Sequence, residues 1–258
     1  MARKKTFERR IIRTRNRIEN RGVKMAFNAI KQQYKAVFDL VGVYSPSFIL
    51  DNLSVSKTPI QEFMKDYYPL FANIGLMYRD NAFSQKDAES DFYESVFMDS
   101  LRHFALTETG ARVTSITATT EKYIRGAIES AMQQGVEEGF GIDKISRLIR
   151  DNLTDSLGDI GRSRSKMIAQ TEMITGSNQA SQDGIESTGL EYRKFWSTSG
   201  LKNIRDSHVF AEENYPKGIA KDEVFSMGNG NVMRFVGDPK GVAAEVINCR
   251  CTTLYEVI

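Results

Sequence analysis

The residues with the most chemistry to offer are His208, Cys249 and Cys251. Both cysteines of the 258-residue chain stand in one step, Asn248-Cys249-Arg250-Cys251, and His208 is one of only two histidines. Two cysteines one residue apart make no disulfide framework, so they imply a local job: a metal, a tight turn or a sulfur-lined packing site. A Cys-x-Cys pair can give two thiolates to one zinc, and a neutral imidazole suits the third place. Asp206 or Asp238 offers an oxygen. A structural zinc takes four ligands, and only three soft ones can be counted here. The expectation is therefore that the cysteines pack as small buried groups or hold a turn, and that His208 bonds a carbonyl. Zinc at His208, Cys249 and Cys251 stays open as the one cofactor to consider. A Cys249–Cys251 disulfide would close a very short ring and would be reduced in a cytosol.

A metal- or thiol-dependent hydrolase in the C-terminal domain is the enzymatic alternative, the thiol form taking one cysteine as nucleophile and His208 as base. No helix evidently follows the cysteines to lower a thiol pKa, and no glycine-rich loop beside them offers oxyanion donors. The chain has no Walker A loop, no G-x-G-x-x-G after a strand and no H-E-x-x-H. A non-enzymatic protein with no catalytic residues is expected.

Charge is distributed unevenly. Residues 1–35 hold 12 Lys and Arg against two acids, a net +10, although the whole chain is only +2. Arg3, Lys4, Lys5, Arg9, Arg10, Arg13, Arg15, Arg17, Arg21 and Lys24 make up the densest part. Such an arm suits nucleic acid or an acidic protein surface, bound without base readout and with strong salt dependence. No run reaches the roughly 18 apolar residues of a membrane span. No apolar segment follows the basic start, so no secretory signal is expected, and synthesis in a reducing cytoplasm is the default.

The elements that must position these residues follow from periodicity. Phe27, Ile30, Tyr34, Val37 and Val41 share one helical face, while Ile11, Ile18 and Met25 form a series in another phase. This predicts a long basic helix bent near Gly22, or two helices in sequence. Thr58 is expected to cap a helix with Pro59 at its first position, and Pro69 to break it. Phe92-Tyr93, Val96-Phe97, Leu101 and Phe104 give another helical face. Thr114 to Thr120 reads as a linker or lead-in to a helix over Glu121–Gly135. Asp143 is expected to cap the next helix, and Ser163 to about Ser187 to form a further one, closed by Gly189. Beyond Gly189, short strands and long ordered loops are expected, with a turn at Gly228-Asn229-Gly230-Asn231 and a strand over Met233–Val236. The fold class is α+β: a mostly helical N-terminal half and a small, loop-rich mixed C-terminal domain. The expected segments are 1–45, 46–150 and 151–258.

One ordered set of motifs runs through the last segment. It comprises Ile168-Ala169-Gln170-Thr171-Glu172, Asn178, Trp196, Arg205-Asp206-Ser207-His208 and Asn248-Cys249-Arg250-Cys251. In this order it resembles the phage Mu F-like head morphogenesis family, with its Ile-Ala-Arg-Thr-Glu helix, Trp, Arg-x-x-His step and terminal Asn-Cys-Arg-Cys. Gln170 stands where that family usually has Arg, and Lys202-Asn203 where an acid often precedes the Arg-x-x-His step. The resemblance implies a minor capsid protein of a tailed bacteriophage, located in the virion at the head interior or portal vertex. Portal, capsid or scaffold proteins would be its partners, and its role would lie in head assembly or in DNA packaging and delivery. Glu172, Asn178, Trp196, Arg205 and Asp206 are then structural, with Glu172 and Asn178 bracing the loops of the C-terminal domain.

Overall fold

Ile11, Arg15, Ile18, Gly22, Ala26, Ala29, Ile30, Gln33, Tyr34 and Val37 are all buried and recur at three- and four-residue steps. That spacing is one continuous face of an α-helix. In the computed structural model they lie on α1, which runs without interruption over Ala2–Phe38. Residues 2–84, 94–200 and 203–258 are described. Phe92, Tyr93, Lys202 and the side chains of Arg3, Lys4 and Lys5 fall outside what is described. The two apolar series of the sequence thus belong to one face. Arg15 and Gly22 join them because one is buried through its hydrogen bonds and the other has no side chain.

Next come α2 (Pro46–Asp51), α3 (Thr58–Tyr67), a 3₁₀ turn over Tyr68–Phe71 and α4 (Ala72–Ser84). Pro69 sits inside the 3₁₀ turn, where its missing N–H ends one helix before the next begins. Thr58 is the first helical residue and not the cap; the Ser56 hydroxyl accepts from its N–H at 3.2 Å. Helices α5 (Glu94–Glu108), α6 (Gly110–Glu137), α7 (Ile142–Ser156) and α8 (Arg162–Glu186) follow, with a π turn over Leu157–Gly161 joining the last two. Gly141, not Asp143, occupies the N-cap of α7, and Asp143 lies in its first turn.

The threonine-rich stretch is not a linker. It lies inside α6, where the hydroxyls of Thr114, Thr119 and Thr120 donate to the carbonyls four residues back at 2.8–3.0 Å. Such back-bonding hides the polar group within the helix itself, so polarity alone is a poor guide. After Gly189, β1 (Tyr192–Ser197), α9 (Asp206–Asn214), β2 (Ile219–Ala220), β3 (Phe225–Ser226), β4 (Val232–Met233), α10 (Ala243–Val246) and β5 (Thr252–Val257) complete the chain. β1 lies between β2 and β5, antiparallel to both, with Tyr192 opposite Val257 and Ser197 opposite Thr252. β3 and β4 form a separate hairpin around the expected Gly-Asn-Gly-Asn turn. The strand expected over Met233–Val236 is only Val232–Met233; Phe235 and Val236 turn away and are buried.

The chain divides into two units that interleave along the sequence, where three consecutive segments were expected. One comprises Met1–Gly22, Met64–Thr109 and Met167–Ile258; the other comprises Val23–Phe63 and Gly110–Lys166. The second unit is all-helical. Ile30, Tyr34, Ile60, Ile124, Ile128, Ile149 and Leu153 form its core. Arg164 donates there to Thr120 Oγ1 and the Ile116 carbonyl, both at 3.0 Å.

The first unit holds the C-terminal sheet, and its centre is α8. From Ile168 to Asn178 every residue is buried, although the sequence pattern points to a single inward side. Within that stretch a Cβ at Gly176 would lie 2.7 Å from the Phe71 ring, and farther along α8 a Cβ at Gly184 would lie 2.2 Å from the Gly75 carbonyl oxygen, so α4 and α8 touch backbone to backbone. Close approach of this kind needs residues without side chains.

Candidate functional site

Alternation along β1 turns Tyr192, Lys194 and Trp196 inward. Lys194 is unusual in that position. Its Nζ donates to the carbonyls of Glu223 at 2.7 Å and Arg234 at 3.1 Å, and burial lowers its pKa. Trp196 packs edge-on against the rings of His208, 5.0 Å between centroids, and Phe225, 5.4 Å. His208 is set by α9, whose first turn is closed by the Arg205 carbonyl accepting from the His208 N–H at 3.0 Å.

The cysteines are set by a sharp turn. Helix α10 ends at Val246, and Asn248 takes φ of 58°, the left-handed region that asparagine tolerates better than most residues. Its N–H bonds to Thr171 Oγ1 on α8 at 3.1 Å, and the Arg205 guanidinium donates to the Ile247 carbonyl. Asn248 thus reverses the chain so that Cys249 and Cys251 both point inward just before β5. Arg250 points the other way. It donates to Gln170 Oε1 at 2.6 Å and lies 3.4 Å from Glu19. A second arginine at position 170 would face Arg250, so glutamine there is the residue that fits this pair.

The result brings His208, Cys249 and Cys251 together, each at most 3% exposed. His208 Nδ1 lies 3.4 Å from Cys251 Sγ and 3.6 Å from Cys249 Sγ. All three ligand atoms fall within 4.8 Å of one another. On the other side of the ring, Nε2 lies 3.1 Å from Glu245 Oε2, close but off a hydrogen-bonding line. Neither Asp206 nor Asp238 joins them. Asp206 is exposed at the start of α9, and Asp238 is held by Arg234 through two contacts of 2.6 and 2.8 Å. Among the described residues the His208 ring faces sulfurs and a carboxylate and not a carbonyl, contrary to expectation.

Glu245 is the residue of this site that no sequence motif singles out. It is 3% exposed and receives Ser207 Oγ at 2.7 Å, Asn229 Nδ2 at 2.6 Å and Asn231 Nδ2 at 3.3 Å. Burial would raise its pKa; these donors, with His208, bring it below the ordinary value. The one signal in the sequence is a single acid in the apolar run Val242–Ile247. The thiols also sit among donors. The Cys251 N–H approaches Cys249 Sγ at 3.3 Å. The two neighbouring thiols shift each other in opposite directions: Cys251 lowers the pKa of Cys249 against its burial, with His208 assisting, and Cys249 with burial pushes Cys251 up.

Helix α8 ties this site to the rest of its unit. Asn178 accepts from Arg15 Nη2 and the Thr253 N–H, both at 3.0 Å, and donates to the carbonyls of Ile174 at 2.9 Å and Val236 at 3.0 Å. All four of its hydrogen-bonding places are filled. Thr175 Oγ1 donates to the Gly237 carbonyl at 2.6 Å. Asn178 therefore braces the C-terminal loops. Glu172 instead accepts from Tyr68 Oη at 2.6 Å.

The basic residues of α1 separate into two groups. Arg15 is 4% exposed, bonded to Asn178 and Thr252, and burial lowers its pKa, so it is a core residue and no surface ligand. Arg9, Arg10, Arg13, Arg17, Arg21 and Lys24 are exposed. At about 100° per residue they fall within an arc of about 120° opposite the buried face. Sequence counting could not separate Arg15 from them, because only its partners in α8 and β5 do so.

No curated protein and no solved structure matches the chain. A family model described as "Phage Mu protein F like protein" matches residues 126–254, half of the chain. The match takes in α8 with Asn178, Trp196, His208 and the Asn248–Cys251 turn, the parts whose contacts build the buried site. The chain belongs to this Mu F-like family of phage head morphogenesis proteins.

Proposed function

We propose that this protein is a minor head protein that acts at the portal vertex and contacts packaged DNA through the exposed basic face of α1. The carrying observation is the set Arg9, Arg10, Arg13, Arg17, Arg21 and Lys24, which lies on one side of a helix whose opposite side is buried. A row of cations about one helical turn apart suits a phosphate backbone and reads no bases. Removing the arm is a poor test, because Ile11, Arg15 and Ile18 belong to the core. Changing the six exposed cations to Gln leaves that core intact. DNA affinity should then fall, and the slope of log K against log salt should flatten by about 0.9 for each phosphate that the variant no longer neutralises. Unchanged affinity and slope would reject DNA as the ligand of this face. Co-purification of tagged protein with portal and capsid proteins from infected cells tests the location, and loss of the portal alone in the six-fold variant would transfer the basic face to the portal.

The C-terminal part is a scaffold in this reading. One observation favours a thiol hydrolase instead: His208 stands between two sulfurs and the Glu245 carboxylate, as a base stands between nucleophile and orienter. Burial weighs against it. A cleft of about 340 Å³ is lined by Ser199, Arg250 and Thr252, but by neither cysteine nor His208. Melting temperature and head complementation, measured together for Cys249→Ser, Cys251→Ser and His208→Ala, separate the readings. A scaffold loses both together; a variant that keeps full stability and loses all complementation would revive the enzyme.

A further inference from the structure

We propose that His208 Nδ1, Cys249 Sγ and Cys251 Sγ bind one zinc ion, with water in the fourth place and Glu245 holding the imidazole from behind. The head-protein reading does not require this site; it follows from the geometry. Bonds of about 2.3 Å to sulfur and 2.0–2.1 Å to nitrogen, at tetrahedral angles, place ligand sulfur and nitrogen about 3.6 Å apart. The two Nδ1–Sγ distances are 3.4 and 3.6 Å. The imidazole nitrogen therefore already stands from both sulfurs at close to the separation that a tetrahedral zinc demands, and the two sulfurs lie within 4.8 Å of each other.

The surroundings fit the same ion. Nε2 lies 3.1 Å from Glu245 Oε2; a proton on Nε2 leaves the Nδ1 lone pair facing both sulfurs, and metal binding at Nδ1 would draw the Nε2–H onto the carboxylate. Three side chains hold that carboxylate, so the imidazole has a fixed backing and not a mobile one. The Cys251 N–H lies 3.3 Å from Cys249 Sγ, the type of donor that steadies a metal-bound thiolate. The buried Trp196 indole N–H lies beside the Cys251 thiol, and its ring packs against His208. Two thiolates balance the charge of the zinc itself, which limits the cost of burying it. Thiolate and imidazole together select zinc over magnesium or calcium, which prefer oxygen.

The test is metal analysis of the full-length protein, purified without a histidine tag under reducing conditions. About one zinc per chain is expected. Cobalt replacing it should give a thiolate-to-metal charge-transfer band in the near ultraviolet and the strong visible bands of a four-coordinate ion. Cys249→Ser and Cys251→Ala should lose both signals. Because either may fail to fold, Glu245→Gln provides a second measurement: it keeps all three ligands and should weaken zinc about 10–100-fold in chelator competition. Lys57→Gln, a change at an exposed position, should leave zinc content unchanged. A folded wild-type protein with reduced thiols that takes up neither zinc nor cobalt would overturn the site. So would retention of full zinc affinity by a folded Cys249→Ser/Cys251→Ser double variant.

Discussion

Asn178 shows how much one side chain carries. Arg15, Thr253, Ile174 and Val236 all depend on it, and it is fully buried. Asn178→Ala should cost roughly 2–4 kcal/mol, since each buried partner left alone costs about 1–3 kcal/mol; chemical denaturation measures it. Asp238 carries a pH dependence. Burial alone would raise its pKa, but bonds from Arg234 and from the N–H groups of Lys240 and Arg234 bring it below the ordinary 3.8. A depressed carboxyl contributes stability in full above its unfolded pKa and loses it as pH falls through the folded one. Asp238→Asn should therefore be less stable than wild type by about 1–2 kcal/mol at neutral pH, a modest figure because Arg234 is partly exposed. The gap should close below the ordinary 3.8. Urea melts at a series of pH values check both points. A gap that persisted unchanged in acid would assign the effect to packing.

At the scale of elements, α8 and α4 meet along small residues, and two glycine substitutions should move stability in opposite directions. Gly184→Ala places a Cβ 2.2 Å from the Gly75 carbonyl oxygen, which cannot move without its helix. It should destabilise by about 1–3 kcal/mol or more, despite alanine's higher helix propensity. Gly126→Ala on α6 meets no atom within 4 Å and should stabilise by about 0.5–1 kcal/mol. Thermal melts of the pair would show whether steric contact or propensity governs. The same contrast explains why element types were legible and their faces were not. The breaks at Pro69 and Gly189 and the extent of α8 could be read from proline, glycine and period. The burial of α8 all round could not, because serine, threonine and asparagine look like surface until their partners are known.

For the whole molecule, Trp196 is the most informative aromatic, since it packs on both His208 and Phe225. Trp196→Ala should cost about 3–5 kcal/mol and reduce head complementation in proportion; a melting temperature close to wild type would show that the ring is not part of the core. Several properties follow from the sequence by itself. The α+β class does, because period and breakers are local. The charge asymmetry does, because charge is counted and not folded. Family membership does too, because ordered motifs survive without coordinates, and the match over residues 126–254 agrees with them. Only the tertiary structure decided which cations face solvent, that Thr114–Thr120 is helical, and that Glu245 backs His208. It also decided that the chain folds as two interleaved units. The threonine stretch is held by local bonds, but the burial of Arg15 and the site around His208 depend on partners far away in sequence. Arg15 meets Thr252 across 237 positions and His208 meets Cys251 across 43. A spacing pattern carries information about neighbours on one element, whereas burial and ligation are set by what another element brings to the same place.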